Sequence, residues 1–203
     1  MIKVEIKSQE LKRIICNKLN IDSNSIIYES ELKNIKDIAI NKSNIINQKT
    51  DMNFSELIFL TNLESCIISN CEITHKDINI LNTLTKLKII QFTNCTFKDD
   101  VTELNLDLKY VIIEACKNLN LNIFLKSKNL EQLRIIHCND LDMKEIEKIV
   151  NIKELYLQNC TIININKIIN LKNLQYINLE KSKIDNNKIL PVLKEKLKID
   201  YKL

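Results

Sequence analysis

Along most of the chain, apolar residues recur in a block that reads apolar-x-x-apolar-x-apolar-x-x-Cys. It occurs as Leu63-x-x-Cys66-x-Ile68-x-x-Cys71, Leu87-x-x-Ile90-x-Phe92-x-x-Cys95 and Leu108-x-x-Val111-x-Ile113-x-x-Cys116. It continues as Leu130-x-x-Leu133-x-Ile135-x-x-Cys138 and Ile152-x-x-Leu155-x-Leu157-x-x-Cys160. Two outer blocks close on serine instead, Ile35-x-x-Ile38-x-Ile40-x-x-Ser43 and Leu174-x-x-Ile177-x-Leu179-x-x-Ser182. The seven blocks begin at residues 35, 63, 87, 108, 130, 152 and 174, in steps of 28, 24, 21, 22, 22 and 22. Such regular spacing marks an internal repeat. Alternation inside each block predicts a short strand with one buried face. One unit cannot bury that face alone, so the units stack into a solenoid around a continuous core.

A period this short leaves room for only a turn of helix or 3₁₀ on the return path. Ile162, Ile165, Ile168 and Leu171 step by three, as a 3₁₀ return requires. The ninth position calls for a small side chain that bonds to the backbone of a neighbouring turn. Cysteine is a weak S–H donor that tolerates burial, and Ser43 and Ser182 can serve the same purpose at the ends. The five cysteines at this position therefore read as a buried ladder. There is no C-x-x-C pair to suggest zinc, although stacked neighbours about 5 Å apart would permit disulfides. After Cys116 and Cys138 the next apolar residue, Leu119 or Leu141, comes three places later rather than two.

The pattern resembles the leucine-rich repeat family over roughly residues 35–203. The resemblance implies an α/β horseshoe: a parallel sheet on the concave face, and short helical, 3₁₀ or extended segments on the convex side. The stretch Cys138-Asn-Asp-Leu141-Asp142 resembles the cysteine-containing subclass of these repeats, which is common in substrate receptors of ubiquitin ligases. Ahead of the repeats, residues 8–19 place Leu11, Ile14, Ile15 and Leu19 on one helical face, with Ser8 as N-cap. The segment that follows, ending in Glu31-Leu32-Lys33-Asn34-Ile35, resembles the amino-terminal cap of internalin-like bacterial proteins. At the other end, Leu197, Ile199 and Tyr201 alternate with Lys196, Lys198 and Lys202, which predicts a closing strand whose lysines discourage edge pairing. The expected organisation is one structural domain: a helical cap over 1–34, seven repeats over 35–184 and a closing strand or cap over 185–203.

Composition narrows the function. The 203 residues are 45% apolar and 28% charged, which suffices for a core. Gly is absent and Pro occurs once, whereas an average chain of this length would carry roughly 14 Gly. Glycine loops that cradle phosphates are thereby excluded, because they need a residue without Cβ. A dispersed net charge of +4 gives no basic face for nucleic acid, and no apolar run is long enough to span a membrane. The start of the chain lacks the apolar core of a secretory signal, so seven cysteines are expected to be reduced thiols in a cytoplasmic protein.

Positions three, five, seven and eight of each unit are expected to face outward on the strand side. They include Ile67, Ile89, Tyr110, Ile112, Glu114, Arg134, Ile136, Glu154, Tyr156, Tyr176 and Glu180. Contiguous exposed apolar side chains mark a contact surface, and Tyr and Arg are favoured anchors. The expectation is a non-catalytic, monomeric interaction module holding a protein or peptide partner on this face, without cofactor or metal and with neither nucleic acid nor membrane as partner. Good strand-forming propensity also accounts for isoleucine and tyrosine here. A surface-associated adhesion or self-assembling repeat protein remains the alternative. Glu114 is expected to pair with Arg134 across neighbouring strands. His137 adjoins Cys138, but neighbours in a strand point to opposite faces, so the two cannot form a nucleophile–base pair.

Overall fold

A computed structural model describes residues 2–42, 54–98 and 101–196. Its dominant element is one seven-stranded parallel sheet. The strands are β1 (Asp37–Asn41), β2 (Ser65–Ser69), β3 (Ile89–Thr93), β4 (Tyr110–Glu114), β5 (Gln132–Ile136), β6 (Glu154–Gln158) and β7 (Tyr176–Asn178). They lie side by side in chain order; β1–β6 each span positions three to seven of their unit, and β7 spans positions three to five. Equivalent positions pair throughout, as in Ile67 with Gln91, Ile112 with Arg134, and Arg134 with Tyr156. This register follows from the repeat, because a one-residue slip would turn every buried side chain to the solvent face.

The side chains at positions one, four and six form the core beneath the sheet. Leu63, Leu87, Leu108, Leu130, Leu133, Ile135, Leu155 and Leu157 are all fully buried there. Each such side chain contributes roughly 1.5–3 kcal/mol through burial. A second, narrower set of parallel pairings follows the ninth position. Glu72–Ile73 pairs with Thr96–Phe97, and Leu141–Asp142, Thr161–Ile163 and Lys183–Ile184 form a separate run. The break between the two runs falls at the units with the longer spacing, where Asn118 and Asp140 take left-handed backbone (φ 56°) to absorb the additional residue.

The returns are 3₁₀ turns at Phe54–Phe59, Leu121–Phe124, Ile146–Lys148 and Ile165–Asn170. Ile162, Ile165, Ile168 and Leu171 are buried along the last of these, as their spacing predicts. The 24-residue second unit departs from that rule. It carries an α-helix (His75–Leu81), closed at its start by a capping box between Thr74 and Asp77.

The chain entry is built as the amphipathic spacing predicts. Helix α1 (Gln9–Leu19) buries Leu11, Ile15 and Cys16, and the Ser8 hydroxyl accepts the Leu11 N–H at 3.2 Å. Glu56, from the first 3₁₀ turn, accepts the N–H groups of Lys7 and Ser8 at 2.7 and 3.0 Å and so ties the entry to the repeats. A short helix α2 (Glu29–Leu32) then leads to β1. The His75–Leu81 helix is α3. After β7 the chain forms helix α4 (Ile189–Lys196), with Pro191 in its first turn, where no N–H is required. Ile189, Leu190 and Leu193 pack down onto the core. The strand expected over residues 197–202, and the ladder position Ser43, lie outside the described residues.

Candidate functional site

The sheet leaves one face open, and its character changes along the solenoid. Positions three, five and seven are small or neutral in β1–β3, apart from Asp37, Ile67 and Ile89. Ile67 and Ile89 are 37% and 36% exposed. From β4 onward the same positions carry Tyr110, Ile112, Glu114, Arg134, Ile136, Glu154, Tyr156, Tyr176 and, just past β7, Glu180, all half-buried. They shield one another, as parallel register requires of large side chains about 4.8 Å apart. Ile67 lies about four strand spacings, ~19 Å, from Tyr156 and belongs to a different part of the face.

The structure draws a compact cluster from β5, β6 and β7. The Arg134 guanidinium lies over the Tyr156 ring, 4.4 Å from its centroid. Tyr156 packs in turn against Tyr176, with centroids 5.1 Å apart and planes tilted by 45°. Glu154 accepts the Tyr156 hydroxyl at 3.0 Å and also the side-chain amide of Gln132. Partial burial and the neighbouring Glu154 carboxylate hold the Tyr156 phenol above its ordinary pKa. Glu180 accepts the Gln158 side-chain amide at 3.1 Å.

The expected Glu114–Arg134 pair is not formed. Register sets Glu114 opposite Ile136, whereas Arg134 leans the other way, onto the aromatic ring of the following strand. Stacking there lets the guanidinium keep one face engaged without desolvating a carboxylate. Gln132 and Gln158 orient two of these carboxylates, and sequence reasoning did not single them out. Strict register was the available signal, since it sets Gln132 directly beside Glu154.

Position eight differs from expectation as well. It lies past the strand end, in left-handed backbone, at Asn70, Asn94, Ala115, His137, Asn159 and Lys181 (φ 51–57°). This residue reverses the chain and delivers the ninth side chain inward. Cys71, Cys95, Cys116, Cys138 and Cys160 are 1–4% exposed. The sulfurs bond inward to the preceding coil: Cys95 to the Ile68 carbonyl at 3.4 Å, Cys116 to Phe92 at 3.5 Å and Cys160 to Ile135 at 3.5 Å. Ser182 does the same for the Leu157 carbonyl at 2.7 Å and accepts the Cys160 N–H at 3.0 Å. The ladder is structural in its geometry. Burial pushes the Cys138 thiol up to about 11 and raises Cys160. His137 is exposed whereas Cys138 is buried, so they stand on opposite sides of the chain.

Among solved structures, internalin C2 from Listeria monocytogenes is similar over 95% of this chain and 92% of that one, at 14% identity and a TM-score of 0.56. An internalin inlF of the same organism covers 95% of this chain and 74% of its own, at 15% identity and a TM-score of 0.40. The plant peptide hormone receptor RGFR1, in complex with RGF2, covers 86% and 33%, at 12% identity and a TM-score of 0.46. No family model matches the sequence, and no curated protein matches it. Together with the seven-stranded parallel sheet, the likeness to internalin C2 shows the fold: a leucine-rich repeat solenoid of the α/β class.

Proposed function

We propose that this solenoid is a non-catalytic interaction module, holding a protein or peptide partner on the open face of its sheet. The observation that carries the reading is the Arg134–Tyr156–Tyr176 stack. It puts rigid amphipathic rings and a guanidinium, the side chains most often found at interface hot spots, on a sheet face that no described element covers. Mutual packing fixes these side chains before a partner arrives, which lowers the entropy lost on binding. The separation of His137 from Cys138 supports a binding rather than a catalytic reading. Seven free cysteines, all buried, support a reducing compartment such as the cytoplasm as the place of action.

Affinity capture from the native cell, with the parent protein and Tyr156→Ala side by side, tests the proposal. Loss of an anchoring tyrosine costs about 2 kcal/mol, or roughly 30-fold in affinity, so the partner recovered with the parent should be largely absent with the variant. Equal recovery by both proteins, with unchanged circular dichroism, would remove the open face from the interaction. Recovery only of further copies of this chain would favour self-assembly instead.

A further inference from the structure

Several carboxylates along the strand-entry edge and the convex side are neutralised within the chain, while others there, such as Asp142 and Glu147, are held by amides. Glu64 pairs with Lys36 at 3.1 Å, Glu131 with Lys153 at 3.3 Å, Glu72 with Lys98 at 2.8 Å and Glu103 with Lys126 at 3.1 Å. The three glutamates of the open face, Glu114, Glu154 and Glu180, have no Lys or Arg partner among the described residues. Glu154 and Glu180 are held instead by neutral glutamine amides and a phenol, which orient a carboxylate and leave its charge in place. The cations beside them are engaged with rings: Arg134 lies over Tyr156, and Lys109 over Tyr110 at 5.6 Å from its centroid. A chain with net charge +4 thus presents an anionic, aromatic surface at the place where its sheet is open.

Resting on the function proposed above, we infer that the segment held there is cationic. It is an extended stretch of a protein partner whose Lys or Arg side chains pair with Glu114, Glu154 and Glu180 while its apolar side chains lie on Tyr156 and Tyr176. Charge complementarity selects this occupant over an acidic one, which would face three carboxylates and find the counter-charges Arg134 and Lys109 already placed over rings. Spacing agrees with it. Glu114 and Glu180 both occupy position seven, on units three strands apart, a separation of about 14 Å. Same-face side chains at i and i+4 of an extended chain are also about 14 Å apart, so one strand laid across the sheet would reach both. Ile136 and Gln158 fill the row between them, and the Tyr156 ring, two residues back along β6, offers a second attraction to a cationic head group.

Selection of a random-peptide display library on the full chain tests this. The parent should enrich peptides bearing Lys or Arg, often four residues apart, and their binding should weaken as salt rises. A Glu114→Gln/Glu154→Gln/Glu180→Gln variant should bind a synthetic copy of a selected peptide about tenfold more weakly or worse, whereas Glu64→Gln/Glu131→Gln should bind it like the parent. Circular dichroism of both variants confirms that the solenoid is intact. Peptides that lack cations but still require Tyr156 would overturn the inference and leave the open-face function standing. So would acidic peptides, or equal binding by the triple variant. Peptides indifferent to Tyr156→Ala, or no enrichment at all, would overturn both.

Discussion

Position eight of each coil must turn the chain out of its strand, and it does so with positive φ in a protein that has no glycine. Asparagine bears this conformation most readily among residues with a Cβ, and it stands at Asn70, Asn94 and Asn159. The first two also form a side-chain ladder, Asn70 Nδ2 to Asn41 Oδ1 at 2.7 Å and Asn94 to Asn70 at 2.5 Å. Ala115 and His137 occupy the same conformation without that help. Left-handed backbone costs such residues roughly 1–2 kcal/mol. Ala115→Gly should therefore stabilise the protein by about 1 kcal/mol and raise Tm by about 2–4 °C in a thermal melt, since Gly adopts this φ freely. An unchanged or lower Tm would mean that Ala115 is not held in the left-handed region.

Among the elements, local capping rather than unit length sets the form of the return. The 28-residue first unit and the three units of 22 residues carry 3₁₀ turns, whereas the 24-residue unit forms helix α3. A helix this short owes its start to the Thr74–Asp77 box, in which the Thr74 N–H donates to Asp77 at 2.9 Å and the Asp77 N–H to the Thr74 hydroxyl at 3.4 Å. Thr74→Ala should cost about 1 kcal/mol in urea unfolding, and Thr74→Ser much less. Equal losses for the two would place the effect elsewhere. A further asparagine series stands just before position one, where Asn62, Asn151 and Asn173 bond to the carbonyls of Lys33, Lys128 and Val150 in the preceding coil. It satisfies backbone acceptors left over where the chain climbs from return to strand. Its spacing of about 22 residues is present in the sequence, but a search for apolar periodicity passes over it.

Over the whole molecule, stacking gives each inner coil two neighbours and leaves the cysteines buried. All seven are free and buried. Within the ladder, Cys71 and Cys116 are raised by their contact with Cys95 and by burial. Burial alone pushes Cys66 up to about 12. Access rather than ionisation therefore governs reactivity. A thiol-specific chromophoric reagent should label the native protein only slowly at neutral pH and label all seven thiols quickly in guanidinium chloride. Fast labelling of the native state would refute the ladder. Raising the pH to 9 should do little for the native rate, because most of these thiols titrate above that and none is exposed. The sequence by itself determined the coil. The apolar alternation set the strand, the period set the number of units, and a small residue at position nine set the inward turn, since each is a local requirement repeated seven times. It also determined which residues share the open face, because parallel register carries position five of one strand beside position five of the next. Tertiary structure alone decided how those side chains use one another. Whether Arg134 turns back to Glu114 or forward to Tyr156, and which carboxylates find a lysine and which are held by neutral amides, depends on rotamers chosen among competing neighbours on adjacent coils. No spacing along the chain encodes that choice, because the competitors are brought together only when the coils have stacked.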